Sequence, residues 1–135
     1  MPGVYSLKTC IQCGITKRSN GKKYCSQKCK NDFEYKERIQ KWLSGEISGQ
    51  RGKTATCVWV KRYVLETRGH RCECCNNSEW MSKPITLDLE HIDGNFLNNK
   101  IENLKLLCPN CHSQTETYKS KNRNGRPRAK YYRGL

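Results

Sequence analysis

Eight of the ten cysteines fall into four close pairs, Cys10/Cys13, Cys25/Cys29, Cys72/Cys75 and Cys108/Cys111, and no other feature restricts the fold of this chain as tightly. Each pair supplies half of a tetrahedral site. A two-residue spacer lets both sulfurs of a tight turn reach one ion, while the three-residue spacer of Cys25/Cys29 sets both thiols on one face of a helical turn. Grouping by sequence assigns Cys10, Cys13, Cys25 and Cys29 to one zinc ion and Cys72, Cys75, Cys108 and Cys111 to another, because four soft thiolates favour zinc over hard cations. The alternatives are an iron–sulfur cluster or scattered buried thiols. A structural zinc contributes on the order of 10 kcal/mol to the folding of a small domain. This chain needs such help: with 135 residues, 35% hydrophobic, and a mean hydropathy of −0.93, it has little material for a large core. Cys74 is left over as a spare thiol, and Cys57, beside Val58 and Val60, is expected in the core.

The formal net charge is +14, from 26 Lys and Arg against 12 Asp and Glu, which favours a polyanionic partner over acidic small substrates. Residues 1–56 carry 12 basic and 4 acidic side chains, residues 57–118 carry 7 and 8, and residues 119–135 carry 7 and none. A nearly neutral centre between two basic ends describes a unit held onto a polyanion by its flanks. No stretch approaches the roughly eighteen apolar residues of a membrane span, and the first residues lack the apolar run of a signal peptide. Secretion and membrane insertion are therefore not expected, and the thiols are expected in a reducing compartment.

The apolar pattern predicts a helix from Ser26 to Leu43, with Tyr35, Ile39, Trp42 and Leu43 at spacings of three and four, a Ser26 cap and a stop at Ser44-Gly45. Residues 45–56 hold three glycines and almost nothing apolar, and read as a linker. A second helix is expected from Cys57 to Thr67, with Val60, Tyr63 and Val64 on one side and Gly69 as its stop. Residues 85–91 alternate, with Ile85, Leu87 and Leu89 on one face and Thr86, Asp88 and Glu90 on the other, as in a strand with one buried face. A loop comes next, then a strand from Leu104 to Leu107. Pro109 suits the first position of a helix of about ten residues ending at Tyr118. The expected organisation is a zinc module with its helix (1–45), a linker (46–56), a core with the second zinc (57–119) and a basic tail (120–135), the whole a small zinc-stabilised α+β protein.

The stretch from Leu87 to Gln114, LDLEHIDGNFLNNKIENLKLLCPNCHSQ, holds more than zinc ligands. Glu90-His91, then Asn103 in ENL, then His112 directly after Cys111, bracketed by two Cys-x-x-Cys knuckles, resembles the HNH endonucleases over about residues 57–118. Bacteriophage proteins of that family are the nearest likeness, through phrases such as EHIDGN and LLCPNCHSQT. The resemblance implies a ββα-metal core that hydrolyses DNA phosphodiester bonds. In it His91 is the general base, Glu90 and His112 hold one catalytic Mg²⁺ or Mn²⁺, and Asn103 bonds the loop to fix His91. Together with two structural zinc ions this makes three metals and no nucleotide cofactor. It also implies duplex DNA as substrate and the cytoplasm of a bacterial or phage-infected cell as location. One chain with one site cuts one strand per binding event, so nicking is expected unless the protein dimerises or binds twice; the oligomeric state stays open.

Elementary chemistry reaches a similar place. Phosphodiester hydrolysis needs a base for water, a metal to neutralise charge and a rigid frame. A neutral imidazole is a competent base near pH 7 to 8. On an extended strand Glu90 and His91 point to opposite faces, so they converge only where the strand bends into GNFLNNK. Glu116, one turn beyond His112, and Asp93 are further ligand candidates, with an exposed Glu and a loop turn as the readings we prefer; His70 is expected to face solvent.

For gripping DNA, Lys22 and Lys23 of the first module and Lys121, Arg123, Arg126 and Arg128 of the tail are the candidates. Gly125-Arg126-Pro127-Arg128 resembles the core of an AT-hook, and a plain basic arm on phosphates is the reading we prefer. Two other classes stay in view: a non-catalytic zinc protein that binds DNA on the same scaffold, and an RNA-directed version of the same core.

Overall fold

The computed structural model describes residues 5–119. It divides into two compact units, Met1–Lys41 and Trp42–Leu135. Among the described residues no helix is long and apolar enough to cross a membrane, and no disulfide forms.

The first unit opens with an antiparallel hairpin, β1 (Ser6–Thr9) and β2 (Thr16–Ser19), with Ser6 opposite Ser19 and Thr9 opposite Thr16. The sequence shows only a polar basic run there. No alternation could signal this hairpin, because nearly every position on both faces is exposed. Its closed end carries the Cys10/Cys13 knuckle, where the Cys10 amide donates to Ile15 O and the Gly14 amide to Cys10 O. Helix α1 (Gln27–Leu43) begins where expected: Ser26 Oγ accepts from the Cys29 amide at 3.2 Å, a side-chain cap on a helix start. Ile39 and Trp42 are buried as predicted, while Leu43 is exposed.

In the second unit, the stretch expected as a linker instead holds a short hairpin, β3 (Gln50–Arg51) with β4 (Ala55–Thr56). Its glycines serve close packing as well as turning: at Gly49, φ +70°, a Cβ would lie 2.9 Å from Val60 Cγ2, and its carbonyl accepts from the Cys57 amide at 2.8 Å. Cys57 is the N-cap of α2 (Val58–Arg68). It is half-buried, with its sulfur on the Gln50 carbonyl, so it sits at a helix end and not in the core. Gly69 ends α2, its amide reaching Leu65 O. Val60 and Val64 are fully buried, and Trp42 packs edge-on against Trp59 and Tyr63.

A hairpin of β5 (Glu79–Trp80) and β6 (Lys83–Pro84) comes after the third cysteine pair. The strand expected over 85–91 is ordered as a ladder only in β7 (Asp88–His91), which pairs antiparallel with β8 (Leu104–Leu107), Asp88 opposite Leu107 and His91 opposite Leu104. The one-faced burial expected of it does not hold. Leu87 is buried, but so is Glu90, at 8% exposure, because its polar face is covered by α3 (Pro109–Ser113), which packs on both strands. This helix is five residues long and not ten. Beyond Ser113 the Thr115 hydroxyl donates to the His112 carbonyl, a side-chain bond that competes with helical pairing, and the chain turns so that Thr117 reaches Glu90. The buried apolar residues of this unit include Val60 and Val64 of α2, Leu87, and Leu104, Leu106 and Leu107.

Candidate active site and zinc centres

Both cysteine tetrads assemble as grouped by sequence: Cys10, Cys13, Cys25 and Cys29, and Cys72, Cys75, Cys108 and Cys111, each with its sulfurs within 4.8 Å of one another. Tetrahedral zinc with bonds of about 2.3 Å sets sulfurs about 3.8 Å apart. The observed separations are 3.5 Å for Cys13–Cys25, 3.4 Å for Cys25–Cys29 and 3.8 Å for Cys75–Cys108. Scattered thiols are thereby excluded, and the donor sets fit structural zinc.

The backbone prepares one thiolate in each tetrad. Burial works to raise the Cys10 pKa, but the amides of Cys13, Cys25 and Gln12 outweigh it and bring the thiol down to about 6. Cys72 behaves alike, burial opposed by the amides of Cys108, Cys75 and Cys74, again to about 6. Cys13 feels that charge: the Ile15 amide draws it down, yet Cys25, burial and the thiols of Cys10 and Cys29 push it up to about 12. A dication relieves that repulsion. Cys74 stands outside the tetrad, exposed.

The second tetrad is tied into the strands. The Glu73 amide donates to Leu106 O at 2.8 Å, the Leu106 amide donates to Glu73 Oε2 at 2.5 Å, and the Cys108 amide donates to Cys72 Sγ at 3.3 Å. Arg68 adds bonds to Glu73 and to the carbonyls of Leu104 and Ile101. Cys108 and Cys111 therefore fix α3, and with it His112, against β8.

A cavity of about 210 Å³ opens over this frame, lined by Glu90, His91 and His112 with Thr54, Phe96 and Tyr118. Glu90 and His91 are neighbours on β7, yet both reach it, because His91 is the last residue of the strand. The ring of His112 lies between two carboxylates, its Nδ1 3.0 Å from Asp88 Oδ2 and its Nε2 2.6 Å from Glu90 Oε2. Glu90 also accepts from the Thr117 hydroxyl, and Tyr118 packs edge-on against the His112 ring. The period of two in β7 puts Asp88 and Glu90 on one face. Asp88 was not singled out from sequence, although that period is the signal that could have found it.

Asn103 bonds the loop beyond His91. Its Oδ1 accepts from the Asp93 amide at 3.0 Å, and its Nδ2 donates to Asp93 Oδ1 and to Asn98 O. It ties down the loop that leaves His91. Asp93 closes that loop, accepting also from the Asn95 amide and from Asn98 Nδ2; burial would raise its pKa, but these bonds hold it below the ordinary carboxylate range. The direct partner of His91 is Asn99, Oδ1 to Nε2 at 2.8 Å, a residue that sequence reasoning missed and that nothing in the run of loop asparagines distinguishes. Glu116 is exposed and does not line the cavity. His70 is exposed as expected, its Nε2 2.6 Å from Ile85 O. Lys22 and Lys23 are exposed in the first unit; Lys121, Arg123, Arg126 and Arg128 lie outside the described residues.

Fold and site thus define a small α+β chain with two four-cysteine centres and a cleft lined by histidine and carboxylate. Over 73 residues, 53% of this chain, the sequence is 57% identical to the H-N-H endonuclease F-TflIV of Escherichia phage T5. The chain spans about a third of that relative's length, 32%. No family model matches, and no solved structure matches. The resemblance to HNH endonucleases read from the motif is borne out as kinship over about half of the chain.

Proposed function

We propose that this chain is a metal-dependent DNA endonuclease of the HNH type, with β7, β8 and α3 as its ββα-metal core, and that it nicks one strand of duplex DNA per binding event. The observation that carries this reading is the meeting of Glu90, His91 and His112 in one cavity. In it His91 takes a proton from the attacking water. Glu90 and His112 hold one divalent ion, Mg²⁺ or Mn²⁺, which when bound supplies charge neutralisation at the phosphate. The residues suit that ion. His112 can give its Nδ1–H to Asp88 and keep Nε2 for metal, the arrangement usual for ligating histidines, and one carboxylate with few further protein ligands leaves room for substrate phosphate. Asn103 steadies the loop behind His91. Lys22 and Lys23 and the basic residues of the tail, Lys121, Arg123, Arg126 and Arg128, hold the phosphate backbone, in the cytoplasm of a bacterial or phage-infected cell.

The test is relaxation of supercoiled plasmid in Mg²⁺ or Mn²⁺, beside a His91→Ala variant checked for two zinc ions per chain. Wild type is expected to yield relaxed circles, and His91→Ala to lose at least about a hundredfold in rate. Equal inactivity of both with intact DNA binding selects the non-catalytic zinc protein instead.

A further inference from the structure

His91 is held by a side chain that lies outside the acidic-His, Asn, His pattern. Asn99 is 3% exposed. Its Oδ1 meets His91 Nε2 at 2.8 Å and accepts from Thr56 Oγ1 at 2.7 Å. Its Nδ2 donates to Gln50 Oε1 at 2.7 Å and, at 3.4 Å, to the Phe96 carbonyl. Its own carbonyl accepts the indole N–H of Trp42 at 2.8 Å.

The contacts of Asn99 orient its amide, with Nδ2 towards Gln50 Oε1 and the Phe96 carbonyl and Oδ1 towards His91 and Thr56. The Phe96 carbonyl can only accept, so the nitrogen of Asn99 must face it and the oxygen must face His91. Gln50 complies by turning its own oxygen to Asn99, which leaves the buried Gln50 Nε2 without a partner among the described residues. An amide oxygen has no proton to give, so in the neutral imidazole the proton must sit on Nε2 and the free lone pair on Nδ1.

We propose that Asn99 is the positioning residue that sets the tautomer of His91, holding the proton on Nε2 so that Nδ1 is the basic atom of the cleft. The catalytic consequence rests on the nuclease reading; the tautomer rests on the hydrogen bonds alone. The β3–β4 hairpin thereby belongs to the site, since Gln50 and Thr56 aim Asn99.

The tautomer is read by long-range ¹H–¹⁵N spectra of the zinc-loaded full chain at about pH 8.5, where an ordinary imidazole is neutral. Wild type is expected to show His91 protonated at Nε2. Asn99→Leu, which cannot accept, is expected to give mixed tautomers and to lower kcat for plasmid nicking about a hundredfold, with KM and both zinc ions kept. Asn99→Asp retains an oxygen towards Nε2 and is expected to restore the Nε2–H form. A wild-type ring protonated at Nδ1 overturns the proposal, as does Asn99→Leu with unchanged tautomer and unchanged kcat. If Asn99→Leu fails to fold, the wild-type spectrum decides; if wild type cuts no DNA, the nuclease reading falls and that spectrum still judges Asn99.

Discussion

The two cysteine tetrads have similar sulfur spacing and very different surroundings. In the second, Cys72 and Cys108 are 0% and 3% exposed, and the knuckle is bonded to a strand whose leucines are buried. In the first only Cys10 is buried, and the β1–β2 hairpin that carries it has no covered face. Apart from Ile39 and the packing of Tyr24 on Phe33, with ring centroids 5.6 Å apart, the described part of the first unit has little apolar contact to hold it. Equal ligation chemistry thus does unequal structural work. Where a core exists, a zinc ion would brace it and set α3 behind the cleft; where the hairpin has no covered face, ligation would be the main source of order.

The largest expected effect tests that contrast directly. Chelation removes on the order of 10 kcal/mol of metal-linked folding free energy per site, so amide spectra should show the first unit losing all dispersion. Cys10→Ser is expected to do the same while leaving the resonances of α2 and β7–β8 in place. Retention of the β1–β2 resonances in the zinc-free protein would show a core there that burial does not reveal. Next in size is truncation of a hairpin leucine. Leu106→Ala, at a fully buried position, should cost about 2–5 kcal/mol in denaturant unfolding; Leu7→Ala, on the exposed hairpin, should stay within about 0.5 kcal/mol.

The smallest effect is a pH dependence. Asp93 has a depressed pKa in the folded chain. Its contribution is therefore present above the ordinary aspartate value, about 3.9, and is lost as pH falls through the lower folded value. Asp93→Asn should remove that acid-side dependence and speed exchange of the Asn95 amide, with the first unit unaffected. Equal acid sensitivity of variant and wild type would assign the loop's order to Asn103 and Asn98 instead.

Much of the site was legible because its chemistry is written in short spacings. Cys108 and Cys111 bracket two residues, His112 comes directly after, and Glu90 and His91 adjoin, so local geometry alone limits where these groups can go. The β1–β2 hairpin was not legible, since a strand with no buried face leaves no alternation to read. The ten-residue helix after Pro109 was overestimated for a related reason. Its end depends on Thr115 capping a carbonyl and on Thr117 bonding Glu90, a residue 27 positions earlier in the chain.

By itself the sequence determined the two tetrads, the helices α1 and α2 and the order of the acidic, histidine and asparagine groups, all of which arise from spacing and periodicity within a few residues. Only the tertiary structure decided what those groups touch. It placed His112 between Asp88 and Glu90 and gave His91 its hydrogen-bond partner Asn99. It also turned an apparent linker into the hairpin that aims Asn99. The reason is physical: a ligand set closes wherever its few residues meet, but the partner of a buried polar side chain is whichever donor or acceptor packing brings within about 3 Å.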